Sequence, residues 1–125
     1  MKNTIDDLRR IAEIEFAIII KDTFIIGYKL RILLVDDSFV DVNLSKKLSD
    51  RFGYHWESKS DKNEIYRYDN FPDKNWKFVD TYPYHFHNGS QENVENSPFP
   101  VSIKEGFRAF MEFVRNKINR NHRRT

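Results

Sequence analysis

The sequence predicts an α+β fold: an antiparallel sheet of about five strands, a short N-terminal helix and a longer C-terminal amphipathic helix. Two pairs of segments alternate so that one face of each hairpin is uniform in chemistry. Two capping patterns, Thr4-Ile5-Asp6-Asp7 and Ser102-Ile103-Lys104-Glu105, mark helix starts. The second is followed by an apolar stripe at helical spacing.

Taken in order, the first helix carries Ile5, Leu8, Ile11 and Ala12 on one face. From Ile14 the pattern changes to alternation, and the β-branched run Ile14–Ile20 reads as a strand, with a longer helix as the competing reading. Ile25–Val35 and Phe39–Leu44 read as a hairpin around Asp36-Asp37-Ser38. A three-residue loop sets Leu34 against Val40, Ile32 against Val42 and Leu30 against Leu44, and puts Asp37 in a left-handed conformation. Lys46–Gly53 is a polar connector. Tyr54–Glu57 and Glu64–Asn70 form a second hairpin, with Trp56 on Tyr66, Tyr54 on Tyr68 and His55 on Arg67. This register gathers Tyr54, Trp56, Tyr66 and Tyr68 on one face and His55, Glu57, Arg67 and Asp69 on the other. Residues 71–97 read as a long irregular segment pinned by its aromatic rings. The last helix runs to about Asn119, and its stripe of Ile103, Phe107, Phe110, Met111, Val114 and Ile118 is expected to pack on the aliphatic sheet face.

The length of 125 residues fits one domain with a core of its own. The absence of cysteine excludes disulfides, thiolate metal sites and thiol nucleophiles. No apolar run approaches the ~18 residues of a membrane span, and the start, MKNTIDDLRR, lacks a signal-peptide core. A cytoplasmic protein without membrane contact is expected. The net charge of +2 hides an asymmetry: no acid follows Glu112, whereas Arg115, Lys117, Arg120, Arg123 and Arg124 do. That tail reads either as an arm for an anionic partner or as cations complementing a helix dipole.

The richest stretch for chemistry is Thr81–Val94, TYPYHFHNGSQENV, which holds two of the four histidines. If its centre is extended, His85 and His87 face together and Phe86 faces away. His85-x-His87-x4-Glu92 also offers metal-ligand residue types, although no further histidine follows before the basic tail.

The order YKLRILLVDDSFVDV, YHWE, IYRYDN, YPYHFHNGSQENV and a helix containing FRAFMEFVR resembles the TumE family, the toxin component of prokaryotic type II toxin–antitoxin pairs. The resemblance runs from about Tyr28 to Lys117. The family's turn usually reads Asp-Gly-Ser where this chain has Asp36-Asp37-Ser38, and relatives often carry two adjacent histidines where this chain has Tyr84-His85. The resemblance implies a growth-inhibiting toxin neutralised by a cognate antitoxin. Toxins of this size often act on RNA. Metal-independent cleavage needs a base, an acid and a cation for the phosphate. His85, His87 and His55 are candidates for acid and base, and Arg67 for the cation. Tyr82, Tyr84 and Trp76 are candidates for stacking on unpaired bases, and Arg120, Arg123 and Arg124 for salt-sensitive attraction. No cofactor is expected. A binding module without catalysis and a His/Glu metal enzyme are the alternatives. An exposed edge strand at Ile14–Ile20 leaves a homodimer open.

Overall fold

A computed structural model describes residues 4–48, 50–58 and 64–123, with side chains up to residue 120. Helix α1 spans Ile5–Glu15. A 3-10 turn, Ala17–Ile19, leads into β1 (Ile20–Ile26), followed by β2 (Lys29–Leu34), β3 (Phe39–Leu44), β4 (Phe52–Glu57) and β5 (Ile65–Asp69). After a second 3-10 turn, Lys74–Trp76, come β6 (His85–Gly89), β7 (Val94–Asn96) and α2 (Ile103–Arg123). The seven described strands form one antiparallel sheet in sequence order. Among the described residues, no helix is long and apolar enough to cross a membrane.

The first helix starts as its capping box requires: the Thr4 hydroxyl accepts from the Asp7 amide, and the Asp7 carboxylate accepts from the Thr4 amide. It ends at Glu15, so the expected strand over Ile14–Ile20 is corrected to a helix end, a 3-10 turn and the first residue of β1. The physical reason is burial. Phe16 and Ile19, three apart, turn inward, while Ile14 and Ile18 are 72% and 90% exposed. The run is β-branched, but its buried spacing is that of a tight helical turn.

The expected strand over Ile25–Val35 is two strands joined at Gly27-Tyr28, where Gly27 adopts φ +62°. The turn after β2 has its left-handed Asp37, at φ +70°. Its three loop residues are Val35, Asp36 and Asp37, because Leu34 and Ser38 bond across the closing pair. Ile32 therefore faces Val40 and Leu30 faces Val42, two residues from the expected register. A shift of two preserves the faces. Ser38 belongs to the closing pair because its hydroxyl accepts the buried indole N–H of Trp56 at 3.0 Å. The β4–β5 register is the expected one: Tyr54 on Tyr68, His55 on Arg67 and Trp56 on Tyr66.

The sheet has seven strands rather than five mainly because residues 71–97, expected to be irregular, contain β6 and β7. Phe86 turns into the core and the two histidines turn the other way. Both helices cover one face. Helix α1 lies over β1, β2 and β3 and α2 over β4, so α2 packs on the expected face, at the part where the aliphatic residues of β2 and β3 give way to the aromatic ones of β4 and β5. Phe107, Phe110 and Phe113 of α2 meet the rings of Tyr54, Trp56, Tyr66 and Phe86 at centroid distances of 5.1–6.5 Å. Two phenols in this layer donate to main-chain carbonyls, Tyr54 to Ile103 at 3.0 Å and Tyr68 to Pro100 at 2.8 Å, and Tyr66 donates to the Glu64 carboxylate. The first two bonds seat the start of α2. Gly106 completes the fit, since a Cβ there would lie 2.7 Å from the Pro100 carbonyl oxygen.

Candidate functional site

The face without helices carries a row of side chains running straight across the sheet: Phe24, Arg31, Asp41, His55, Arg67, His87 and Val94 are successive partners on β1 to β7. Beside it, Gly53, Asp69, His85 and Asn96 form a parallel row on β4 to β7. Alternation along each strand places the polar residues here, and the antiparallel register brings them side by side.

Two centres result. On β2 and β3, Arg31 grips Asp41 through two bonds of 2.8 Å, and its guanidinium lies 4.2 Å from the Phe39 ring centre. Burial works to raise the Asp41 carboxyl, but the Arg31 bonds outweigh it and hold the group below the usual carboxylate range.

The second centre is on β5 and β6. The Nε of Arg67 donates to Asp69 Oδ2 at 2.6 Å. Gly53 makes room for it, since a Cβ there would lie 3.2 Å from Arg67 Nη2. The other carboxylate oxygen, Asp69 Oδ1, accepts from the Phe71 amide at 3.0 Å and faces His85 Nε2 at 3.3 Å. The Nδ1 of His85 lies 2.9 Å from the Pro83 carbonyl, and that of His87 lies 2.9 Å from the Gln91 carbonyl. A carbonyl only accepts, so both Nδ1 atoms carry the proton. The rings are 5.0 Å apart, and the Trp76 indole lies edge-on to His87 at 5.6 Å. His85 and His87 are 2% and 1% exposed.

The surroundings push these groups apart. Burial works to raise Asp69, but the bonds from His85 and Arg67 prevail and lower it. Burial works to lower His85, but the Asp69 carboxylate prevails and raises it. Burial lowers His87 and the neighbouring charge of His85 adds to that, against the Gln91 carbonyl. The two neighbouring imidazoles are thus shifted in opposite directions.

Of the expected site residues, His85, His87 and Arg67 come together, and Trp76 covers the histidine pair. His55 stands one strand away, next to Arg67, with Nε2 on Glu57 at 3.3 Å. Tyr82 is half-buried in the segment before β6. Tyr84 stands apart from them: its ring packs against Phe52 and Tyr68 on the helix side. Arg120 is exposed on α2, the element on the opposite face of the sheet. The Arg123 side chain and Arg124 lie outside the described residues. Glu92, the carboxylate suggested by spacing, is exposed, and Asp69 stands by the histidines instead. Asp69 belonged visibly to the polar face of the second hairpin. Its contact with His85 depends on β6 pairing with β5.

No curated protein and no solved structure matches the chain. The family model described as toxin TumE matches residues 2–118. With nearly its whole length matched, the chain belongs to the TumE toxin family.

Proposed function

We propose that this toxin is a metal-independent ribonuclease in which His87 is the general base and His85 the general acid. The observation that carries the reading is the different bonding of two adjacent histidines. His85 faces acceptors at both ring nitrogens, the Pro83 carbonyl and the Asp69 carboxylate, and is held as a donor. His87 is bonded only at Nδ1 among the described residues, so its Nε2 lone pair is available. In RNA cleavage, His87 Nε2 takes the 2′-hydroxyl proton and that oxygen attacks the adjacent phosphorus. His85 Nε2 then protonates the departing 5′ oxygen, leaving a 2′,3′-cyclic phosphate. The Nη groups of Arg67 are the donors nearest to the phosphate. Because the histidines are buried, the strand reaches them when the segment carrying Trp76 moves aside. The cognate antitoxin of this toxin class acts by covering that approach or holding the segment down.

The test is purified protein incubated with single-stranded RNA, with and without EDTA. Cleavage to cyclic-phosphate ends in both is expected. His87→Ala should lower the rate roughly 10²–10⁴-fold, the usual loss for one acid–base group. Intact RNA at every enzyme concentration would sink the reading. A second reading is favoured by the same burial: His85 and His87 brace β5 to β6, while the half-exposed Arg67 and His55 grip RNA or a protein without chemistry. In that case the histidine variants would still inhibit growth.

A further inference from the structure

Acid–base cleavage does not require three buried donors to converge, yet three do. Asp69, His85 and His87 each present one potential ligand atom, and these atoms lie within 4.8 Å of one another. Both imidazoles give their Nδ1 proton to a main-chain carbonyl. That arrangement fixes the tautomer and leaves Nε2 to bind, as in the outer shell of metal-bound histidines. The 3.3 Å between His85 Nε2 and Asp69 Oδ1 is close to the edge of a tetrahedron with metal–ligand arms of ~2.1 Å, roughly 3.4 Å. Arg67 holds the other oxygen of Asp69, which orients Oδ1 toward the histidines. The three side chains are buried, which shields the donor atoms from competition by bulk water.

We propose that Asp69, His85 and His87 form a site for a divalent first-row transition ion, and that the ion competes with cleavage. Two imidazoles and one carboxylate suit zinc, iron(II), nickel or copper better than magnesium or calcium. The ion takes the place of the proton between His85 and Asp69, and that proton leaves to solvent. It also occupies the Nε2 lone pair of His87. The competition rests on the acid–base reading above; the site itself does not. Glu92 has no part in it.

The probes are Co2+, for its ligand-field absorption, and Zn2+ as competitor, added to the full chain after removal of metal by a chelator. One equivalent of Co2+ should develop visible bands that Zn2+ abolishes, and the melting temperature should rise with either ion. His87→Gln should weaken binding roughly 100-fold or more, since even an outer-shell change costs 10–100-fold. Glu92→Gln should leave binding as it is. Asp69→Asn is the second ligand variant, and each variant is read after its melting temperature in chelator is matched to the parent. Absence of Co2+ bands with no thermal shift overturns the site. So does binding that survives both His87→Gln and Asp69→Asn. Zn2+ that slows RNA cleavage supports the competition. Zn2+ that speeds it keeps the site and overturns both the competition and the acid–base reading. Binding without any cleavage of RNA keeps the site and overturns the ribonuclease reading with the competition.

Discussion

His55 and Trp56 are neighbours on β4 and lie in different media. Trp56 is wholly buried, stacks on Tyr66 at 5.3 Å and donates its indole N–H to Ser38. His55 faces the open side, half-buried between Asp41 and Arg67. The dry face is held by area and ring packing, which tolerate little loss of volume. The open face is held by ion pairs and hydrogen bonds, which water competes for. Stability and candidate chemistry thus sit on opposite sides of the same strands. Substitutions on the two sides should therefore be separable.

The largest effect is expected from Trp56→Ala, which should cost roughly 3–5 kcal/mol in urea unfolding. It leaves a large cavity and removes the indole that donates to the Ser38 hydroxyl, which keeps its bond to Asp36. Next comes Gly106→Ala at the dry-face seam, where the added Cβ meets the Pro100 carbonyl oxygen. A loss of about 1–3 kcal/mol is expected. If the variant is as stable as the parent, the seat of α2 is looser than described.

On the open face, Asp41 gives a pH signature. Its folded carboxyl titrates below the unfolded one, so it contributes stability above the unfolded value of about 4. That contribution is lost as the pH falls through the folded value. Arg31→Gln removes the bidentate partner. It should flatten the acid limb of the stability curve and cost about 1 kcal/mol or less near neutral pH. The parent and the variant losing stability in parallel between pH 5 and 3 would deny Arg31 that role. The smallest effect is expected for His55→Ala, within about 0.5 kcal/mol. Its Nδ1 is buried without a partner among the described residues, so its loss removes an unsatisfied group. Equal losses for Trp56→Ala and its neighbour His55→Ala would end the distinction between the faces.

The parts of the fold legible in the sequence are those that neighbouring residues decide. Thr4 and Asp7 identify the first cap, and the stripe from Ile103 to Ile118 identifies the buried side of α2. The β4–β5 register was legible because any slip by one mixes tyrosine with charge. The hairpin before it was less so. Aliphatic residues on both strands sort equally well after a shift of two, and the choice depends on Ser38 reaching Trp56. Gly27 is the local signal that divides β1 from β2. Phe16 and Ile19 were hidden because β-branched neighbours raise strand propensity regardless of which residues become buried.

For the candidate site, the sequence alone determined that His85 and His87 share a side once extended, and that Arg67 and Asp69 share a side of their hairpin. Alternation is a local property and needs no knowledge of partners. The tertiary structure decided that these two sides are the same. Residues 70–84 separate β5 from β6, and nothing in that segment's composition states that the chain returns to pair beside Asp69. The return is stabilised by Phe86 entering the core, by the Pro83 and Gln91 carbonyls receiving the two histidines, and by Trp76 covering them. The entry of Phe86 is a contact across the fold, available only once the sheet and α2 exist to receive it, whereas the two carbonyl bonds are local, two and four residues from their histidines, and orient the rings.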